Sequence, residues 1–393
     1  MWNVRITLLS ESQGDMLNGF QKCQIFRTSV FRSFSTEEQT KSVKEGETMT
    51  PKERVIAQIK HKETDFIPYT LSFDDEAGEV VKRVNSYYGG NIWQDKIDTL
   101  IVYIPVIDFG IDVKSERTFS TDMYGTLWRV DKRPFHLEKP ALNKPTLSGY
   151  KFPDIEAFFD EEWYERALRL INEKKDHFLV TGFGFGLFER TWAMRGFENA
   201  LIDSIANPDF YGKLVEKIAE HQMKIIDKLL TLPVDGIMFS DDWGYQQGVI
   251  LGAKRWRKYL KPYLAEMYAK VHKAGRYVLS HCCGSIEEIL PDVIEIGLDV
   301  YESVQPEAKN NNPYRLKRLY GKDITFWGCL GSQSIIPFGT PSKIRSEIKK
   351  LCREMGRGGG YILSPAKPIQ SGTPTENVVA IIEAFLEQAG VDV

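Results

Sequence analysis

The chain of 393 residues is 42% hydrophobic and 27% charged, with a formal net charge of -3. These are ordinary globular values; they exclude disordered and membrane classes and offer no field that would recruit nucleic acid or anionic lipid. Five cysteines are too sparse and odd a set for a disulfide framework, and no apolar run reaches the ~18–20 residues that span a bilayer, so a soluble cytoplasmic protein acting on a small molecule is expected.

Residues 1–48 show no sustained helical or strand periodicity and read as an irregular N-terminal extension, poorly ordered, before a catalytic domain at 49–393. Arg27 and Arg32 hint at a transit peptide, but Glu11 and Asp15 count against one, and a start codon placed too early is the simpler reading. Met49-Thr50-Pro51 then opens a capped helix, with a hydroxyl before a proline.

From there short apolar or β-branched segments alternate with amphipathic helices. The segments are Phe66–Phe73, Leu100–Val106, Phe178–Phe183, Gly236–Ser240, Tyr277–Ser280, Asp299–Val304, Ile324–Gly328 and Tyr361–Ser364. Helices are expected over Ile155–Glu173, Pro208–Leu230, Ala253–Ala274, Ile286–Ile296, Pro313–Leu319 and Pro341–Met355. Strands separated by helices pair in parallel, and eight such units predict the α/β class and a single (β/α)8 TIM barrel. The irregular piece from about Asp108 to Pro153 reads as a lid-like excursion after the second strand, with a hairpin at Tyr124–Trp128.

In such a barrel the chemistry sits just beyond the carboxyl ends of the strands. Those positions hold Asp74, Asp75 and Glu76, then Glu189, then Asp241 and Asp242, His281 and Cys283, Glu302, Cys329 and Gln333, and finally Lys367 and Gln370. Side chains alternate along a strand, so His281 and Cys283 project to one side and Cys282 to the other, which makes half of a zinc site. Each candidate also has an ordinary alternative. Cysteines are commonly buried, one of two consecutive aspartates often caps a helix, and a lysine beside a proline is often simply exposed.

Several segments resemble the uroporphyrinogen decarboxylase superfamily, which also contains zinc methyltransferases that work with corrinoid proteins. They are Phe239-Ser-Asp-Asp-Trp-Gly-Tyr-Gln-Gln-Gly248, Ser280-His-Cys-Cys-Gly-Ser285, Ile324-Thr-Phe-Trp-Gly328, Pro337-Phe-Gly-Thr-Pro341, and Gly358-Gly-Gly-Tyr-Ile-Leu-Ser-Pro365 with Gly372-Thr-Pro-Thr-Glu-Asn377. The resemblance implies a TIM barrel from about Met49 onward. The true decarboxylases carry an arginine-bearing loop after the first strand, whereas here the loop is Ser72-Phe-Asp-Asp-Glu-Ala-Gly78, which would repel a polyanionic porphyrinogen.

The methyltransferase branch is similar at His281-x-Cys283, where its members hold zinc with a further cysteine near the last strand. Lys367 falls at that place, and a protonated lysine cannot ligate a cation. A third ligand is therefore sought among Glu302, Cys329, Asp241 and Asp242. The expected function is zinc-dependent methyl transfer to or from a thiol, with the methyl group carried on a separate corrinoid protein, since no Asp-x-His-x-x-Gly motif occurs here. Asp241, Asp242, Lys367 and Glu189 are the catalytic candidates; Asp74, Asp75, Trp243, Gln247, Gln333 and Gln370 are those for binding substrate. Glu189-Arg190-Thr-Trp192 and Arg195-Gly196-Phe197 resemble a family signature that reads mainly as an ion-paired structural element. The alternatives are a metal-independent decarboxylase in which Lys367 grips a carboxylate, and a non-catalytic barrel that docks a corrinoid-carrying partner.

Overall fold

The structure is a computed structural model that describes residues 49–74, 78–105, 111, 117–132 and 134–392. The N-terminal extension, Asp75, Glu76 and part of the excursion lie outside the described residues. Seven strands form one parallel sheet in chain order: Ile101–Tyr103, Phe178–Phe183, Gly236–Ser240, Tyr277–His281, Val300–Val304, Thr325–Leu330 and Tyr361–Pro365. Phe178–Phe183, Thr325–Leu330 and Tyr361–Pro365 are buried at every position, as parallel strands covered on both faces must be.

The eighth position is taken by the segment around Tyr69. Thr70 N–H donates to the Leu363 carbonyl at 3.0 Å, and Leu363 N–H donates to the Pro68 carbonyl at 2.9 Å. On the other side Leu100 N–H donates to the Tyr69 carbonyl at 3.1 Å. One short segment thus hydrogen-bonds to both edges of the sheet and closes it into a TIM barrel. The expected first strand is shorter than its apolar pattern implied: a bridge at Tyr69 is followed by a separate strand, Phe73–Asp74, paired with Ile369–Gln370. Pro68 contributes no N–H, which limits the ladder at this point.

The helices follow their caps. Thr50 and Glu53 make a reciprocal capping box with Pro51 in the first turn. The helix expected over Ala253–Ala274 is two, Ala253–Tyr259 and Lys261–Lys273, because Pro262 cannot donate to the preceding turn. Likewise the helix expected from Ile155 begins as a 3-10 turn, Ile155–Phe158, and restarts at Glu161–Glu173, where Asp160 accepts from Trp163 N–H at 2.7 Å. The stretch expected at Ile286–Ile296 divides into a 3-10 turn, Glu287–Ile289, and the helix Leu290–Glu295. No helix among the described residues is long and apolar enough to cross a membrane.

The excursion contains the expected hairpin, Phe119–Thr121 against Leu127–Arg129, and a third strand, His136–Lys139, that the sequence pattern did not show. Asp122 shapes its turn by accepting from Tyr124 N–H at 3.0 Å and Thr126 N–H at 2.9 Å. Its other oxygen faces the fully buried Arg190 guanidinium at 3.4 Å, which lies 3.8 Å over the Tyr124 ring. Tyr124 Oη in turn meets His221 Nδ1 at 3.0 Å, and His221 Nε2 meets the Pro153 carbonyl at 3.0 Å. Arg195 pairs with Asp203 at 2.8 Å and donates to the Leu142 carbonyl at 3.2 Å. The two arginines of the signature therefore staple the excursion onto the helix Leu187–Arg195, and His221 ties it to Pro208–Leu229. Breaking either buried pair from one side would cost about 3–5 kcal/mol.

The Pro153 carbonyl can only accept, so His221 carries its proton on Nε2 and takes the Tyr124 hydroxyl proton on Nδ1. Burial lowers the pKa of this ring below its ordinary 6.5, and the nearby Arg190 pushes the same way against the Pro153 hydrogen bond. A lowered folded-state value means that the unfolded chain binds the extra proton first. The stability contributed by neutral His221 is therefore complete above pH 6.5 and is lost as the pH falls below it. Urea unfolding of the wild type and His221→Gln should show a stability difference that shrinks between neutral and mildly acidic pH; a difference independent of pH would contradict the assignment.

Candidate metal centre

The strand Tyr277–His281 lies between Gly236–Ser240 and Val300–Val304, with His281 in register with Ser240 on one side and Glu302 on the other. Alternation sends Cys282 into the packing, where its sulfur accepts from Trp243 N–H at 3.2 Å and is fully buried. His281 and Cys283 face the barrel mouth together, their Nε2 and Sγ 3.2 Å apart. The chain turns away at Gly284, whose φ of +74° is left-handed and where a Cβ would stand 2.7 Å from the Gly244 and Tyr245 backbone. Only glycine meets both demands. The Gly284 N–H is taken by Gln305 Oε1 at 2.8 Å and the Cys283 N–H by Asp242 Oδ1 at 2.6 Å.

Asp242, His281 and Cys283 each offer a ligand atom, and these atoms all lie within 4.8 Å of one another. Carboxylate oxygen, imidazole nitrogen and thiolate sulfur from two adjacent strand ends suit a divalent ion of the zinc type, with three protein ligands and a position left for substrate. Glu302, one of the expected ligands, instead engages His281 Nδ1. A carboxylate accepts, so Nδ1 carries a proton and Nε2 is the nitrogen that faces the sulfur, the usual second partner of a metal-binding histidine. The fourth neighbour is a cation: Lys367 Nζ stands 2.6 Å from Cys283 Sγ.

Charge and burial act against each other throughout this cluster. Burial opposes the His281 imidazolium, yet the Glu302 carboxylate and Cys283 lift its pKa to about 10. Burial likewise opposes ionised Asp242, but His281 and Lys367 outweigh it and hold the carboxyl below its ordinary value. For Lys367 the desolvation cost is exceeded by Cys283 and Asp242, which raise its pKa.

The other candidates fall elsewhere. Asp241 points away from the mouth and accepts from Phe188 N–H at 2.9 Å, Glu189 N–H at 2.8 Å and Trp243 Nε1 at 2.6 Å. It thus caps the first turn of Leu187–Arg195 from another strand, and burial pushes its carboxyl up to about 7. Gly186 makes that approach feasible, since a Cβ there would lie 2.4 Å from the Asp241 Cβ. Glu189 is buried within that helix and Trp243 is buried against Trp256. Cys329 is buried where Lys317 and Glu347 of the outer helices are its charged neighbours, so it belongs to the layer between sheet and helices and not to the centre. Gln247 is exposed in the turn between Gly244–Tyr245 and Gly248–Val249. Gln333 is exposed with its N–H on Glu307, and Asp74 and Gln370 face each other in register on the short outer strands.

Two residues near the mouth were not among the expected site residues, although Trp327 lies in the segment Ile324–Gly328. Tyr103, at the end of its strand, is 41% exposed, yet burial and the Glu302 carboxylate push its phenol well above the ordinary value. It stacks on Trp327, with centroids 6.4 Å apart and planes at 25°, and Trp327 Nε1 donates to Thr70 Oγ1 at 3.0 Å. The expected strand, Leu100–Val106, placed Tyr103 in its middle, whereas the observed strand ends at Tyr103.

Consecutive aspartates thus have separable tasks. In chelator, Asp241→Ala should lose about 3 kcal/mol or more in denaturant unfolding, since three donors lose their acceptor at about 1–3 kcal/mol each, while Asp242→Asn, whose side-chain oxygen can still accept the Cys283 N–H, should lose clearly less. Equal destabilisation by both would contradict this division.

Comparison with known proteins bears on the same span. The family model described as uroporphyrinogen decarboxylase (URO-D) matches residues 122–388. A methylcobamide:CoM methyltransferase, MtaA, of Methanosarcina barkeri is 24% identical over 181 residues, 46% of this chain and 50% of that protein. A uroporphyrinogen decarboxylase of Thermus thermophilus is 23% identical over 299 residues, 74% of this chain and 83% of that one. The chain thus spans about half the length of the methyltransferase relative and more of the decarboxylase. Among solved structures, a methyltransferase from Methanosarcina mazei shares the fold, with a TM-score of 0.64 at 21% identity over 86% of this chain and 99% of its own. The matched region runs from the excursion to the last helix and includes Asp242, His281, Cys283 and Lys367; the chain belongs to the uroporphyrinogen decarboxylase (URO-D) family.

Proposed function

We propose that this chain is a zinc-dependent methyltransferase that moves a methyl group to or from a thiol, in partnership with a separate corrinoid protein in the cytoplasm. The observation that carries the reading is the group of Asp242, His281 and Cys283, whose ligand atoms lie within 4.8 Å of one another at the carboxyl rim of the barrel. The relative named as a methylcobamide:CoM methyltransferase supports methyl transfer as the reaction type. Zinc bound by these three residues would supply Lewis acidity, lowering the pKa of an acceptor thiol so that its thiolate persists at neutral pH.

The protein's own residues prepare the site. Glu302 holds the His281 ring by its Nδ1 proton and directs Nε2 toward the ligand group. Asp242 fixes the Cys283 backbone through its N–H at 2.6 Å, which sets the direction of the sulfur. Tyr103, stacked on Trp327, forms an aromatic wall of the same mouth and excludes water from one side of the bound thiol. The decarboxylase alternative is less well supported, because the Lys367 ammonium that would grip a carboxylate stands 2.6 Å from the Cys283 sulfur with Asp242 and Glu302 close by, and these acids would repel a substrate carboxylate.

Elemental analysis of protein purified without chelator is expected to find about one zinc per chain, lost in His281→Ala, Cys283→Ser and Asp242→Asn. Glu302→Gln should keep the metal but bind it roughly 10- to 100-fold more weakly. Wild-type protein without stoichiometric metal, releasing carbon dioxide from a carboxylated substrate, would sink the zinc reading in favour of the decarboxylase.

A further inference from the structure

Lys367 stands where a ligand to a metal ion could stand, and its backbone is held there. It follows the strand Tyr361–Pro365 and precedes Ile369–Gln370. On one side the Ala366 N–H donates to the Leu330 carbonyl at 2.8 Å, and the Ala366 carbonyl accepts from the Ser303 hydroxyl. On the other side the Ile369 N–H donates to the Ser72 carbonyl at 2.9 Å. Three different segments of the chain, at Ser72, Ser303 and Leu330, therefore pin the backbone around this residue, and its flexible four-carbon stem is what can change direction. That stem delivers Nζ to 2.6 Å from Cys283 Sγ, within the field of Asp242 and Glu302 as well.

Three groups that are anionic when ionised, Cys283, Asp242 and Glu302, are crowded into one partly buried mouth with His281. Without a counter-charge such a cluster would repel itself in a medium of low dielectric. Lys367 supplies a charge of the right sign at the sulfur. The same ammonium, left in place, would oppose a dication bound to that sulfur.

We infer that Lys367 is a built-in counter-cation that balances the donor cluster when no metal is bound and has to swing aside when metal enters, so that it sets how tightly the centre holds its ion. This rests on the zinc reading above and adds to it a residue that weakens metal retention instead of supporting it. Lys367→Met should therefore bind zinc more tightly than the wild type, by roughly the 10- to 100-fold that changes next to a metal ligand produce. Lys367→Arg, which keeps the charge, should remain close to the wild type. Metal-free Lys367→Met should also melt at a lower temperature than the metal-free wild type and gain more from added zinc, because its donors keep one counter-charge fewer, His281 alone, until the ion arrives.

The experiment is zinc titration of the full chain against a chromophoric chelator for the wild type, Lys367→Met, Lys367→Gln, Lys367→Arg and His281→Ala, with melting curves of each in chelator and in zinc. Lys367→Gln provides a second neutral side chain should the methionine variant fold poorly. Tighter binding in the neutral variants with wild-type-like binding in Lys367→Arg supports the inference. Zinc binding by the wild type that is equal or weaker in both neutral variants overturns it and leaves the zinc reading intact. No binding above the His281→Ala background in any variant overturns the zinc reading, and the inference with it.

Discussion

The Cys283 sulfur is the point on which the rest of this mouth depends. It lies 3.2 Å from His281 Nε2 and 2.6 Å from Lys367 Nζ, while Glu302 and Asp242 stand behind those partners. Each charge is tolerated in a half-buried setting because an opposite one is in contact with it. This alternation explains why His281 and Lys367 favour their charged forms despite burial. It also explains why the elements that place them are so closely determined, since a small displacement would leave an uncompensated charge.

That placement is achieved by backbone constraints more than by side-chain packing. Gly284 turns the chain immediately after Cys283, and its close approach to Gly244 and Tyr245 locks the loop of the fifth barrel strand onto the loop of the fourth. Asp242 then closes the contact through the Cys283 N–H. Its neighbour Asp241 faces the other way and holds the start of Leu187–Arg195. From that helix Arg190 and Arg195 reach the excursion through Asp122 and Leu142. Hydrogen bonds, ion pairs and the backbone between them thus link the rim cluster to the excursion.

Within the URO-D family one barrel serves different chemistries, and the difference lies in what lines the mouth. Here the lining combines a nitrogen, oxygen and sulfur donor group, one lysine, and the stacked pair Tyr103 and Trp327. A polyanionic substrate needs several basic forks, whereas Lys367 is already paired with Cys283 and the first strand ends in Asp74. The mouth as described is thus poor in the basic forks that a polyanionic substrate needs.

By itself the sequence determined the barrel, because burial on both faces of parallel strands writes itself locally as short apolar runs between amphipathic helices, and eight such runs are legible without any contact. It also determined that His281 and Cys283 share a side, since strand alternation is a property of the backbone, and that residues 49–51 start a helix. It did not reveal where long helical stretches break, as at Pro262, with the same confidence as where they begin. Only the tertiary structure decided which rim residues converge. Asp242 joins the cluster while Asp241 caps a helix, Glu302 holds His281 while Cys329 turns to the helical layer, and Lys367 meets a sulfur 84 positions earlier in the chain. Those outcomes depend on the register between neighbouring strands and on the stagger around the barrel, which are set by closure of the sheet and leave no local trace in the residues themselves.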